Sequence, residues 1–261
     1  SALKDWVSRR DMKWIDFDRE FGGDIKSLQE MPEDARRDEI ARLAIRLNDM
    51  YTDERVPRDE LAKSVNGHLT EYMASITGQR VHTSSEIREF TLAKLAFPFA
   101  MGVCDMISGD VALFRDTGIF EAHVICHEFV HRKGYWKELH AQGLAYLALM
   151  SSGDPLMVQS ALAERLHRQL KSIAGEDHQE YHDLVDGLEL RSELAGELHA
   201  LRPDAGAYES SVSVVMKKLY EERMKLTGQN GLSDYDVGFT NFLWTFQRSP
   251  NARQERWQAE F

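Results

Sequence analysis

The stretch His127-Glu128-Phe129-Val130-His131 is the part of this sequence best suited to chemistry. On a helix, residues i and i+4 lie one above the other, so His127 and His131 are predicted to offer both imidazoles to one divalent ion. Zinc held this way sits about 2.0–2.1 Å from each ring nitrogen. Glu128 is rotated about 100° from His127. It is placed to lean over a water on the ion and take its proton as general base, without ligating the metal. Val124, Ile125, Phe129 and Val130 supply apolar flanks for burial.

A catalytic zinc takes three protein ligands and keeps one position open. On a straight helix, residue 140 would face away from His131. Gly134, however, is suited to end the helix in a left-handed conformation, so that the chain turns and a second helix begins near Lys137. His140 is then the expected third ligand, with Glu138 as the alternative. The longer pattern His-Glu-x-x-His-x-x-Gly-x-x-His would need histidine where Lys137 stands. Hydrolysis also needs a donor for the tetrahedral oxyanion. Tyr220 stands as the candidate beside Tyr208, Tyr235, His82 and Arg191, although its amphipathic helix favours a half-buried core tyrosine.

Other titratable clusters read more plainly. His123, one turn before His127, is too early to share the ion and reads as cleft wall or a support for the ligands. His178 and His182, among carboxylates, read as a solvated acidic helix face, as do Glu189, Glu193 and Glu197 with Arg191 and Arg202 near enough to pair. Cys104 and Cys126 read as buried free thiols, because two cysteines make neither a disulfide scaffold nor a thiolate zinc ribbon.

The elements that must position these groups are mostly helical. "PEDARRDEIARLAIRLNDMY" repeats Ile40, Leu43, Ala44 and Leu47 on one face, and "PRDELAKSVNGHLTEYMASITG" closes at Gly78. The start is aromatic-bearing (Trp6, Trp14, Phe17, Phe21), and "SSEIREFTLAKLAF" suits helix or strand. Residues 97–114 read as a β-hairpin turning at Ser108-Gly109-Asp110. Asp154-Pro155 opens a helix to Gly175, and further helices are predicted over 177–200, 207–227 and 234–247. The expected fold is mainly α (α+β): one domain with a small β-hairpin ahead of the histidine helix. Its parts are an N-terminal helical part (1–90), the hairpin and metal-binding helices (91–152) and a C-terminal helical part (153–261).

The 261 residues, 43% hydrophobic and 29% charged, suffice for a core of that size. A net charge of −11 and the lack of a Lys/Arg block argue against nucleic-acid binding. No apolar run reaches the roughly 18 residues of a membrane span or forms a signal-peptide core. Beginning at Ser1, the chain is expected to be a processed form or the soluble part of something longer, with a membrane-anchored parent as one option.

The stretch "VICHEFVHRKGYWKELHAQGLAYLALM" resembles the active-site region of an uncharacterised bacterial family, that of domain of unknown function 3810, whose members are expected to be zinc metallopeptidases of the zincin type. Gly134-Tyr135 matches the family's Gly-aromatic pair and "LAYLAL" its small apolar helix. "KKLYEERMKLTGQNGLSDYDVGFTNFL", with Tyr220, Lys225, Gln229 and Tyr235, resembles its C-terminal segment, and "FPFAMG" is similar to its hairpin. The likeness is patchy over roughly residues 90–245. Where the family reads Glu-Ala-Asn this chain has His140-Ala141-Gln142, a change of ligand type, and the transmembrane helices that usually precede the family's soluble part are not present here. The resemblance implies a zinc-dependent peptidase acting on peptide or protein substrates. The hairpin's position just before the histidine helix makes "GDVALF" the expected strand for an extended substrate to join. Manganese or iron would also suit imidazole ligands. The rival reading is a non-catalytic, metal-stabilised scaffold or protein-binding module.

Overall fold

The computed structural model describes residues 9–89, 101–105, 109–114, 116–202 and 211–254. Trp6, Tyr208 and the hairpin's turn residue Ser108 lie outside them. The helices, in chain order, are α1 (Phe17–Phe21), α2 (Glu33–Asp49), α3 (Arg58–Thr77), α4 (Glu121–Arg132), α5 (Glu138–Ser151), α6 (Pro155–Ala174), α7 (His178–Asp186), α8 (Ser192–Leu201), α9 (Ser211–Leu226) and α10 (Val237–Arg248). Three short strands, β1 (Ile87–Glu89), β2 (Gly102–Cys104) and β3 (Val111–Leu113), precede α4. The molecule is therefore mainly α with a small sheet, as the sequence implies.

Local signals place most boundaries. Ile40, Leu43, Ala44 and Leu47 form the buried stripe of α2, and α3 ends at Gly78, whose φ of 70° is a left-handed cap. Asp154 caps α6 by accepting the N–H groups of Leu156 and Met157, with Pro155 in the first turn. The predicted 177–200 helix divides in two. Gly187 caps α7, and Leu188 and Leu190 then turn onto the core before α8 starts at Ser192. Glu189 thus leaves the helix and does not share a face with Glu193 and Glu197.

The core gathers around α5. Its residues from Ala141 to Leu149 are buried on every side, as expected of a helix that is apolar all round. Helices α3, α4, α6 and α10 pack against it. Cys126 and Cys104 are buried free thiols, as read from the sequence.

The sheet runs β1-β3-β2, with β1 parallel and β2 antiparallel to β3. The hairpin is present as β2 and β3, and the segment left open between helix and strand contributes β1. β2 and β3 rest on α4. Arg132 at the end of α4 fastens them there. Its guanidinium donates to the carbonyls of Gly109 (2.6 Å), Ser84 (2.7 Å) and Glu86 (2.9 Å). Beside it, buried Lys133 donates to Thr70 Oγ1 and the Val81 carbonyl, both at 2.8 Å. Each cation is thus used to satisfy backbone or hydroxyl oxygens where sheet and helix meet.

Candidate metal centre

Helix α4 stands against α5 through a tight reversal at Lys133–Lys137. Gly134 has a φ of 106°, open to glycine and strained for any residue with a Cβ. Its N–H donates to the His131 carbonyl at 2.8 Å, and that of Tyr135 to Val130 at 3.3 Å, closing the end of α4. The Tyr135 hydroxyl accepts the Ile15 N–H at 3.0 Å, pinning the turn to the N-terminal segment. Helix α5 then starts at Glu138.

This reversal brings three ligand atoms together. His127 Nε2 and His131 Nε2 lie 3.1 Å apart, and Glu138 Oε2 is 3.1 Å from the first and 3.2 Å from the second. All three residues are buried, and together they form a group that could hold a metal ion. A tetrahedral zinc with bonds of about 2.0–2.1 Å sets its ligand atoms about 3.3 Å apart, so these atoms already stand at the edges of such a site. The far nitrogens are occupied in the sense a metal ligand requires. His127 Nδ1 faces Gln142 Oε1 at 3.1 Å, and His131 Nδ1 faces the Tyr135 carbonyl at 2.7 Å. Both Nδ1 atoms are then donors, which leaves each Nε2 lone pair for a cation.

Charge follows the same geometry. Burial alone would lower the His131 pKa, but the Glu138 carboxylate beside it overcomes this and raises it to about 9. Burial works to raise the Glu138 pKa, and the two imidazoles hold it well below the usual carboxylate range. Glu128 lines the same cavity and is 6% exposed, and burial pushes its carboxyl upward.

His140, the third ligand expected from sequence, is not part of this group. It lies two residues past Glu138, about 200° around the helix. Its ring stacks on Phe17 with centroids 3.7 Å apart, and its Nε2 meets Asp24 Oδ1 at 2.7 Å. Glu138, the alternative, takes the position. Gln142 was noted in the sequence only as part of a departure from a family pattern. The signal that finds it is its spacing of four from Glu138, which stacks both on one face of α5. Gln142 in turn donates to Glu164 Oε1 at 2.9 Å, and Gln229 accepts the Glu138 N–H at 2.8 Å.

Among the oxyanion candidates, Tyr220 and Tyr235 come to the site. The Tyr220 hydroxyl donates to Glu138 Oε1 and lies 3.3 Å from the Tyr235 hydroxyl. Burial, and then the Glu138 charge, raise both phenol pKa values, so each keeps its proton. His82 is exposed, and Arg191 lies over the Tyr51 ring. His123 lines the cavity, as a cleft-wall reading requires. His182 is half-buried, not on an open acidic face: its ring stacks on His199 and its Nε2 faces the Arg202 carbonyl at 2.7 Å.

The cavity over the metal group has a volume of about 1060 Å³. One wall is the sheet. β3 is flanked on both sides, so it has no free edge for a substrate, and Val111 and Leu113 point into the core. Among the described residues the strand with an open edge on the cavity is β2.

Fold and site together define a mainly helical protein with a buried two-histidine, one-glutamate group suited to a metal ion. Residues 119–243, which carry all of these groups, match the model of a family described as "Protein of unknown function (DUF3810)". No curated protein and no solved structure matches the chain. Among the described residues, no helix is long and apolar enough to cross a membrane.

Proposed function

We propose that this protein is a zinc-dependent metallopeptidase. The carrying observation is the convergence of His127, His131 and Glu138 on one point, with the Glu128 carboxyl in the same cavity. Two imidazoles, one carboxylate and an open position are the ligand set of hydrolytic zinc sites. When bound, zinc supplies Lewis acidity, which polarises a carbonyl and makes a nearby water easier to deprotonate.

The residues of the chain do the remaining work. Glu128 accepts the proton of the attacking water at its carboxylate and returns it to the departing amine. Burial raises its pKa, which favours its holding the proton it has accepted. Tyr220, kept protonated beside the metal group, is the donor for the developing oxyanion.

β2 orients the substrate. Phe114 N–H bonds the Met101 carbonyl and Asp105 N–H the Asp110 carbonyl, each at 2.9 Å. Antiparallel pairing alternates, so the backbone groups of Gly102 and Cys104 turn away from β3 to the open edge. An extended peptide can add there as a further strand beside Glu128.

Two variants test the reading against a library of peptides. Glu128→Gln is expected to keep about one zinc per chain and lose hydrolysis by orders of magnitude. Tyr220→Phe is expected to keep zinc and lose about 100- to 1000-fold in kcat. A wild-type protein that binds zinc but cleaves nothing sinks the peptidase reading in favour of a metal-stabilised scaffold. Loss of zinc in Tyr220→Phe would instead make Tyr220 a support for Glu138.

A further inference from the structure

The two imidazoles of the metal group are held by unlike partners. His131 Nδ1 faces the backbone carbonyl of Tyr135, which can only accept, so its tautomer is fixed on the spot. His127 Nδ1 faces the side-chain amide of Gln142, which has one accepting end and one donating end. The end that meets His127 decides which of its ring nitrogens carries the proton in the neutral imidazole.

The opposite arrangement has a partner waiting. With the amide turned round, its NH2 would donate to Nδ1 and the ring proton would sit on Nε2, where Glu138 Oε2 stands 3.1 Å away to accept it. The lone pair that a metal ion needs would then be gone. Gln142 is buried at 2% exposure, so its direction has to be set by the groups around it.

The far end of the amide meets Glu164 on α6, a residue equally buried. Its Oε1 accepts Gln142 Nε2 at 2.9 Å and Arg168 Nε at 2.7 Å. Burial alone would raise the Glu164 pKa, but the Arg168 guanidinium overcomes this and holds the carboxyl well below the usual carboxylate range. Arg168 is itself tied to Asp236 at 2.8 Å, which Lys171 also meets at 2.8 Å. An ionised carboxylate has no proton to give. Gln142 can therefore offer Glu164 only its NH2 end, which turns its carbonyl to His127.

We infer that Glu164 is a positioning residue of the metal centre, which through Gln142 fixes the His127 tautomer that leaves Nε2 free for the ion. This rests on the metal-binding half of the proposed function and not on peptide cleavage. Glu164 touches neither ion nor substrate in this account. What the relay has to keep is the order of donors and acceptors from Arg168 to His127. The exchange Gln142→Glu with Glu164→Gln keeps it. The carboxylate then stands at position 142 and accepts from His127 Nδ1 and from the amide at 164, whose carbonyl takes Arg168.

The test is zinc affinity, read by competition with a chromophoric chelator, with the Tm of each zinc-free variant as a check on folding. Glu164→Gln and Gln142→Leu are each expected to weaken zinc binding by about 10- to 100-fold. Adding Glu164→Gln to Gln142→Leu is expected to cost nothing further, because no amide is left to orient. The exchange variant is expected to bind zinc nearly as tightly as the wild type. Unchanged affinity in Glu164→Gln with a lowered Tm makes Glu164 a core residue and overturns the relay, as do additive losses in the double variant. If Glu164→Gln does not fold, the exchange variant is compared with Gln142→Leu, and an exchange variant that binds no more tightly overturns the relay. A wild type that takes up no zinc overturns the metal reading and the relay together. Zinc bound without peptide cleavage, with the variants in the expected order, upholds the relay and overturns the peptidase.

Discussion

At the residue scale, two neighbouring side chains on α5 divide the roles that spacing alone had left open. Glu138 points at the two imidazoles while His140 hydrogen-bonds Asp24 and stacks on Phe17. Glu138→Gln is expected to weaken zinc binding by more than about 100-fold, since even the outer partner of a ligand is worth 10- to 100-fold. His140→Ala is expected to keep its zinc and to lose about 1–2 kcal/mol of stability with the Asp24 hydrogen bond and the ring contact. Metal analysis and urea unfolding of the two variants separate these outcomes, and zinc loss in His140→Ala would contradict the assignment. His127, Glu128 and His131 were legible because their signal is purely local. The third ligand was not, since it depended on which residue of α5 comes first after the Gly134 turn, and a shift of two residues moves a side chain to the opposite face.

At the element scale, the sheet works as a lid edge set down on α4. A Cβ added at Gly102 would stand 2.8 Å from Leu113 Cδ2 and 3.1 Å from Glu128 Oε1. Gly102 therefore lets β2 lie against Glu128. Gly102→Ala is expected to keep the zinc stoichiometry and to lower kcat by up to about 100-fold, the scale of a misplacement near 1 Å. An unchanged kcat would show that Glu128 tolerates the displacement. The helices here were largely readable from caps and periodicity, as Asp154-Pro155 and the α2 stripe show. Sheet order was not, because neither the parallel partner β1 nor the enclosed position of β3 is encoded in a local turn signal. That is why the strand proposed to pair with a substrate, expected at "GDVALF", moves to the edge strand β2.

At the scale of the whole molecule, the helical core buries polar groups whose charge states set its pH response. His167 on α6 faces the Tyr181 hydroxyl at 2.8 Å, and burial lowers its pKa to about 3. A folded-state pKa below the unfolded value means that the unfolded chain binds the extra proton, so stability falls as pH drops from about 6.5 toward 3. Each pH unit in that window costs up to about 1.4 kcal/mol for this residue. His123 adds the same dependence down to about pH 4. His167→Gln is expected to flatten the decline of the urea midpoint between pH 6 and 4.5 by about one proton, and an undiminished slope would show that other groups control it. Sequence alone marked the chain as acidic and helix-rich, but a buried neutral histidine looks like any other until its surroundings are known.

The central claim is that two imidazoles and the Glu138 carboxylate share one ion. X-ray absorption at the zinc edge of the metal-loaded protein reads that ligand set directly. The account predicts two imidazole nitrogens at about 2.0–2.1 Å with the remaining ligands oxygen, and the same spectrum from His140→Ala. Three imidazoles, or the loss of one in His140→Ala, would contradict it.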